Sequence, residues 1–176
     1  LRQFWLQARA ETATRDLAPP GLSTARSNVG ATGNVYGYPN DERAGWAEYM
    51  DDAPDDLFQR DEADVVYFVG CNTSFSPRAQ RIAESFVKLM TAAEVDFTIL
   101  GEGEVCCGFP LQVAGMPDAV EALIEHNVAQ VREKGAKTMV FTCPACRLMW
   151  MEEYAGRLPD VTMVHATEML ADLTAQ

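Results

Sequence analysis

Cys71, Cys106, Cys107, Cys143 and Cys146 are the residues of this chain whose type and spacing most plainly offer chemistry. Thirty-four residues separate Cys71 from Cys106, thirty-five separate Cys107 from Cys143, and the last two form a Cys-Pro-Ala-Cys pair. The number is odd and no secretion signal precedes it, so a disulfide framework explains it poorly. Thiolates are soft ligands, and four or more in one place select zinc or an iron-sulfur cluster over hard cations. Adjacent cysteines are expected to point apart, which suits Cys106-Cys107 to an extended cluster whose different iron atoms each take a sulfur. Zinc with a thiol to spare, a thioredoxin-like dithiol at Cys143 and Cys146, and burial of small apolar side chains are the competing readings.

The elements that must position these thiols are legible in the alternation of apolar runs. Asp64 to Gly70 (DVVYFVG), Asp96 to Leu100 (DFTIL), Lys137 to Thr142 (KTMVFT) and Val161 to Val164 read as strands. Between and after them, Ser76 to Ala92, Ala119 to Lys134, Cys146 to Tyr154 and Ala166 to Thr174 read as helices, the second closed by Gly135. The first helix is expected to turn Ile82, Phe86, Val87 and Met90 inward, the second Val120, Leu123, Ile124, Val128 and Val131. Such alternation predicts an α/β fold: a Rossmann-like parallel sheet with helices on both faces. No GxGxxG follows the first strand, where Gly70-Cys71-Asn72-Thr73-Ser74 stands, so no dinucleotide site is expected. Cys71 follows strand one, Cys106-Cys107 follow strand two and Cys143 follows strand three. Ligands gather at the carboxyl ends of parallel strands, so three loops should deliver five thiols to one crevice. Gly108 lets the backbone fold closely there, and helix N-termini after Cys71 and Cys143 should donate amides to sulfur.

Residues 1–60 read as an irregular and helical N-terminal extension, linker and docking segment, with the cysteine-rich domain over 61–176. Leu1, Phe4, Trp5 and Ala8 recur at helical spacing up to about Thr12, and Pro19-Pro20-Gly21 is expected to interrupt any helix. Gly30 to Asn40 is rich in turn formers, and Met50 to Asp64 has seven acidic residues against one Arg, the composition of a solvated linker. The start lacks Met and a leader pattern, which suggests a piece of a longer chain. With 14 Lys+Arg against 26 Asp+Glu, the net charge of −12 argues against a nucleic-acid partner. No apolar run approaches the roughly 20 residues of a membrane span.

The pattern Cys71-x34-Cys106-Cys107-Gly108-x34-Cys143-x2-Cys146 resembles the CCG, or cysteine-rich, domain of heterodisulfide reductase catalytic subunits and related iron-sulfur oxidoreductases, over about Asp64 to the C-terminus. Gly33 to Pro39, followed by Arg43 and Trp46, also resembles the connector that joins a ferredoxin-type domain to the first CCG domain in longer members. Val35 stands where that connector commonly has Pro. The resemblance implies that the five cysteines hold a noncubane 4Fe-4S cluster, with zinc or a smaller cluster in some relatives. It implies an iron-sulfur oxidoreductase subunit passing single electrons to a disulfide, a related thiol or sulfur compound, or a quinone-linked acceptor. The alternative is a zinc-stabilised assembly module without catalysis. Many members carry two CCG motifs and this chain has one, and it has no CxxCxxCxxxCP motif, so cubane 4Fe-4S clusters are expected upstream or on a ferredoxin-type partner. Further partners would be the other subunits of a redox complex, and the expected location is cytoplasmic, at the inner membrane face if the complex is membrane-associated.

Several other residues invite a role. His165 follows strand four at the same sheet edge and is the candidate proton donor, with capping of the next helix as its ordinary role. His126, beside Glu125 and Asn127, reads as a solvated helix face. Arg78, Arg81 and Arg147 could attract an anion. Asn72, Thr73 and Ser74 read as caps, and Met149, Trp150, Met151, Phe109 and Pro110 as cover over a metal centre or as core.

Overall fold

Four short strands, β1 (Val65–Phe68), β2 (Phe97–Ile99), β3 (Thr138–Phe141) and β4 (Thr162–His165), form one parallel sheet in the order β2-β1-β3-β4. The structure is a computed structural model and describes residues 1–175. β1, β2 and β3 coincide with buried, mostly apolar runs of the sequence, because a strand covered on both faces needs no polar alternation, whereas the edge strand β4 is only partly buried. Register pairs Val66 with Thr98 on one side and with Met139 on the other, so β1 and β3 form the centre.

The helices are α1 (Arg2–Thr14), α2 (Pro20–Thr32), α3 (Gly45–Glu48), α4 (Cys71–Phe75), α5 (Pro77–Ala92), α6 (Phe109–Val113), α7 (Glu121–Glu133), α8 (Pro144–Met149) and α9 (Ala166–Thr174). α8 runs on into a π-helical turn over Trp150–Tyr154. The α/β layering expected from the sequence is thus present, with successive strand residues feeding opposite cores. Val66, Phe68, Met139 and Phe141 pack with α6, α7, α8 and Trp150. Val65, Tyr67, Val69 and Val140 pack with α5, Trp46 and Phe58. Four of the five cysteines belong to the first of these cores, and Cys143 packs against it.

The N-terminal region departs from its sequence reading at two points, the proline pair and the acidic stretch. Pro19-Pro20-Gly21 starts a helix instead of interrupting one: Pro20 occupies the first helical positions, where its missing N–H has no intrahelical partner to lose. α1 does form, yet it buries none of its residues, and Phe4 and Trp5 stay exposed. The acidic stretch 50–64 holds a buried Phe58, stacked between Trp46 and Phe97 and accepting the Ile99 N–H at 2.8 Å. In α5, Ile82 is half-exposed, and the inward face is instead Ala79, Ala83, Phe86, Val87 and Met90. No helix among the described residues is long and apolar enough to cross a membrane.

Candidate metal centre

The loops that leave β1, β2 and β3 at their carboxyl ends carry all five thiols. After β1, Gly70 turns with φ +80° and α4 begins at Cys71. A Cβ at Gly70 would stand 3.1 Å from the Cys146 sulfur, so a glycine here permits the close approach of two loops. After β2, a 3-10 turn and Glu104-Val105 lead to Cys106 and Cys107. Gly108 then reverses the chain with φ +87° into α6. After β3, Cys143 caps α8, with Pro144 at its first turn.

The thiols form an unbroken line. Cys71 is a side-chain partner of Cys106, Cys106 of Cys107, Cys107 of Cys146, and Cys146 of Cys143. Cys106 and Cys107 therefore interact with each other and do not simply point apart. A tight turn at Gly108 brings both sulfurs inward, and each reaches a different outer cysteine. None is in a disulfide, and only Cys143 is more than marginally exposed. Among the described residues, no three His, Cys, Asp or Glu side chains converge on a single point as a preformed one-ion site would require.

Charge on this line is uneven. The contact with Cys106, burial and the charge of Cys106 push the Cys71 thiol well up. Its bond to Cys107 pushes Cys106 up to about 12. Cys107 accepts from Cys106 and Cys146 and is brought down to about 6. Cys146, donating to Cys107 and Cys143, is raised well above the ordinary thiol value. Cys143 is lowered to about 6 by Cys146 and then by the backbone N–H groups of Cys146 and Ala145 at the start of α8. The shifts thus favour the thiolate form at Cys107 and Cys143 and the thiol form at the other three.

Backbone donors surround the sulfurs. Gly108 N–H reaches Cys106 at 3.5 Å and Phe109 N–H serves Cys107. The expected amide donors appear at Cys143. At Cys71 the donor is Val35 N–H, which comes from the N-terminal region. That region also binds the second loop, since Cys106 N–H donates to the Gly33 carbonyl at 2.7 Å. Tyr36 donates to Asn72 Oδ1 at 2.7 Å, and Tyr36 and Tyr38 pack on Phe75.

Three polar residues of the site escape a reading of the sequence. Arg43, visible there only as part of a connector, is fully buried and its Nη1 donates to Glu104 Oε1 at 2.8 Å. Glu104 also accepts the N–H groups of Val69 and Gly70, each at 2.8 Å. Burial opposes the charge of Arg43, but Glu104 and Cys71 outweigh it and the guanidinium is held protonated. Burial raises the Glu104 carboxyl against the pull of the same guanidinium. Three donors at 2.8 Å are what an ionised carboxylate accepts, and the pair is therefore charged. Nothing in the charge pattern marks residues 61 apart as partners. Asn127, which the sequence places on a solvated face, is buried: its Oδ1 accepts Val105 N–H at 3.1 Å and its Nδ2 reaches the Val105 carbonyl at 3.2 Å. A signal for it exists, since it sits within the stripe of Leu123, Ile124, Val128 and Val131.

His165 ends β4 and caps α9. Its Nδ1 accepts Thr167 N–H at 3.3 Å, and Glu168 Oε2 accepts its backbone N–H at 2.6 Å. Its Nε2 has no partner among the described residues. The ring and Thr142, the neighbour of Cys143, line an apolar groove of about 410 Å³ between α5 and α9, with Ile82, Phe86 and Leu170. His126 lies on the surface and pairs with the Gly103 carbonyl at 2.8 Å. Arg147 pairs with Glu168 at 2.9 Å, and Arg81 borders the groove. Trp150 and Met149 are fully buried, Trp150 packing on Phe68, Phe141 and Tyr154.

Comparison with known proteins places these residues among relatives. Residues 65–150 match the family model of the CCG cysteine-rich domain. The chain is 31% identical over 97% of its length to one subunit of the dihydromethanophenazine:CoB-CoM heterodisulfide reductase from Methanosarcina barkeri, and covers 42% of that subunit. It is 29% identical over 90% of its length to an EtfAB:quinone oxidoreductase of Syntrophomonas wolfei, covering 22% of it. It is also 29% identical over 85% of its length to a probable iron-sulfur-binding oxidoreductase of Bacillus subtilis, again covering 22%. The chain thus spans about two fifths, or less, of the curated relatives it matches. No solved structure gives a significant match.

Proposed function

From the match of residues 65–150 to the CCG cysteine-rich domain, we propose that the chain is a member of that family and the cluster-bearing part of a heterodisulfide reductase-like oxidoreductase. The observation that carries this reading is the gathering of five free thiols at one sheet edge, four buried in one core and the fifth packed against it, which offers more sulfur than one tetrahedral ion can take. Cys71, Cys106, Cys107, Cys143 and Cys146 would hold the group, a noncubane 4Fe-4S cluster. Such a cluster supplies one-electron redox chemistry in a thiolate cage.

The chain's own residues prepare that cage. The surroundings of Cys107 and Cys143 lower their thiol pKa values, and the N–H groups of Val35, Gly108, Phe109, Ala145 and Cys146 support negative charge on sulfur. Trp150, Met149, Phe68 and Phe141 keep water from the inner side. Cys143 is the outermost thiol and directly follows Thr142, which lines the groove with His165, so the acceptor would approach from there, with His165 Nε2 as the candidate proton donor. The acceptor is a disulfide, a related sulfur compound or a quinone-linked partner, in keeping with the names of the relatives. Electrons would come one at a time from a ferredoxin-type domain or subunit carrying cubane clusters, within a larger redox complex at the cytoplasmic side. Residues 1–60 would form the extension and 61–176 the domain.

Elemental analysis of anaerobically prepared protein, with a visible spectrum of the same sample, tests the reading. Brown protein with about four irons and matching acid-labile sulfide is the expected result. Colourless protein with one zinc would replace it by a structural assembly module.

A further inference from the structure

The buried guanidinium of Arg43 is in contact with the cysteine line itself. Its Nη2 lies 3.8 Å from the Cys71 sulfur, its Nη1 donates to Glu104, its Nε donates to Asn40 Oδ1 at 3.1 Å, and its Cζ stands 5.3 Å from the Phe75 ring centre. The planar fork thus holds the carboxylate with one arm and faces sulfur with the other. A buried ion pair is weak evidence for stability, because an apolar pair of similar volume serves as well. Its position beside a metal-ligand thiol gives it a different use. The Glu104 charge is spread over three donors, whereas among the described residues the cation's second arm meets the Gly33 carbonyl at 3.4 Å and the sulfur.

We propose that Arg43 is a positioning residue for electron transfer: the segment before the domain delivers its fixed charge onto Cys71, and this sets how readily metal held at Cys71 is reduced. The inference rests on the cluster reading above. Reduction adds one electron, supplied by a ferredoxin-type donor, and one negative charge to the thiolate-bound centre, with no bond broken and no proton moved. A cation within reach of sulfur in a dry site favours the more negative state.

The test is a redox titration, followed by visible absorbance, of the full chain loaded with iron and sulfide under anaerobic conditions, as wild type, Arg43→Gln and Arg43→Lys. Metal content is assayed on the same samples. With full iron content, Arg43→Gln is expected to shift the one-electron equilibrium at least tenfold toward the oxidised form, about 59 mV. Arg43→Lys, whose single ammonium can serve Glu104 or Cys71 but not both, is expected to shift it less. An Arg43→Gln protein with full iron and an unchanged potential overturns the proposal. If that variant does not fold, an unchanged potential in Arg43→Lys overturns it. Wild-type protein that takes up no iron overturns the cluster reading, and this proposal with it. Iron-loaded wild type whose variants all keep its potential overturns this proposal alone.

Discussion

The hydroxyl of Tyr154 donates to the carbonyl oxygen of Cys107 at 3.0 Å, which ties the π-helical turn after α8 to the loop that carries the paired cysteines. Asn127 Nδ2 completes the arrangement at 3.3 Å from the same hydroxyl, inside a fully buried pocket. Tyr154→Phe leaves the ring in place but strands a buried carbonyl. Metal-free Tyr154→Phe protein should lose about 1–3 kcal/mol of stability in urea unfolding. A loss below about 0.5 kcal/mol would mean that this carbonyl finds another donor.

Gly108 poses a backbone question at the same loop. A methyl group there would sit 2.9 Å from Val120 Cγ1, and the residue holds φ +87°. Gly108→Ala should cost about 1–2 kcal/mol from the backbone conformation alone and lower iron uptake per chain. Wild-type uptake in a fully folded Gly108→Ala protein would count against a strict need for glycine.

The Arg43–Glu104 pair makes a sharper energetic prediction. Glu104→Leu leaves a buried guanidinium without its carboxylate and should cost about 3–5 kcal/mol. Restoring balance with Arg43→Leu in the same chain should recover part of that loss. Additive losses in the double-mutant cycle would show that the two side chains act independently.

The thiols impose a pH dependence on the metal-free protein. Cys107 and Cys143 sit at about 6 in the fold, below the ordinary thiol value, so their contribution is complete above about pH 9 and is lost as pH falls through 6. Cys71, Cys106 and Cys146 are raised, so the unfolded chain binds fewer protons than the fold above about pH 9 and their contribution is lost as pH rises. Stability measured by urea midpoints should therefore climb from about pH 6 and turn over near about pH 9. A steady decline from neutral pH upward would contradict these assignments.

His165 separates capping from proton chemistry. His165→Ala should cost about 1 kcal/mol through the lost cap, whereas His165→Asn should keep most of the stability. If the ring donates protons to product, both variants lose turnover with their iron content intact. Wild-type turnover in both would reduce His165 to its structural role.

The parts of this fold that are readable in the sequence share a physical reason. β1 to β3 are nearly all-apolar runs, and loops after parallel strands share an edge, so the meeting of Cys71, Cys106, Cys107, Cys143 and Cys146 follows from their positions alone. What cannot be read depends on distant partners. Arg43 and Glu104 look like ordinary surface charges until the fold brings them to 2.8 Å. Pro20 looks like a breaker because its effect depends on whether it stands inside a helix or at its first turn. Asn127 is legible in principle, since its helical phase is that of the core, but its polarity conceals it.

The order of the strands along the chain has a consequence for synthesis. A ribosome releases Cys71 first, then Cys106 and Cys107, then Cys143 and Cys146, so a growing chain exposes one thiol, then three, then five. β1 and β3 pair directly in the sheet, yet β3 is made some seventy residues after β1, so the cage cannot close until the last of these segments has emerged. Metal delivered during translation would meet an incomplete set of sulfurs. A centre held by all five thiols would therefore be completed late, and Cys143, the one thiol that is not buried, is the one nearest solvent.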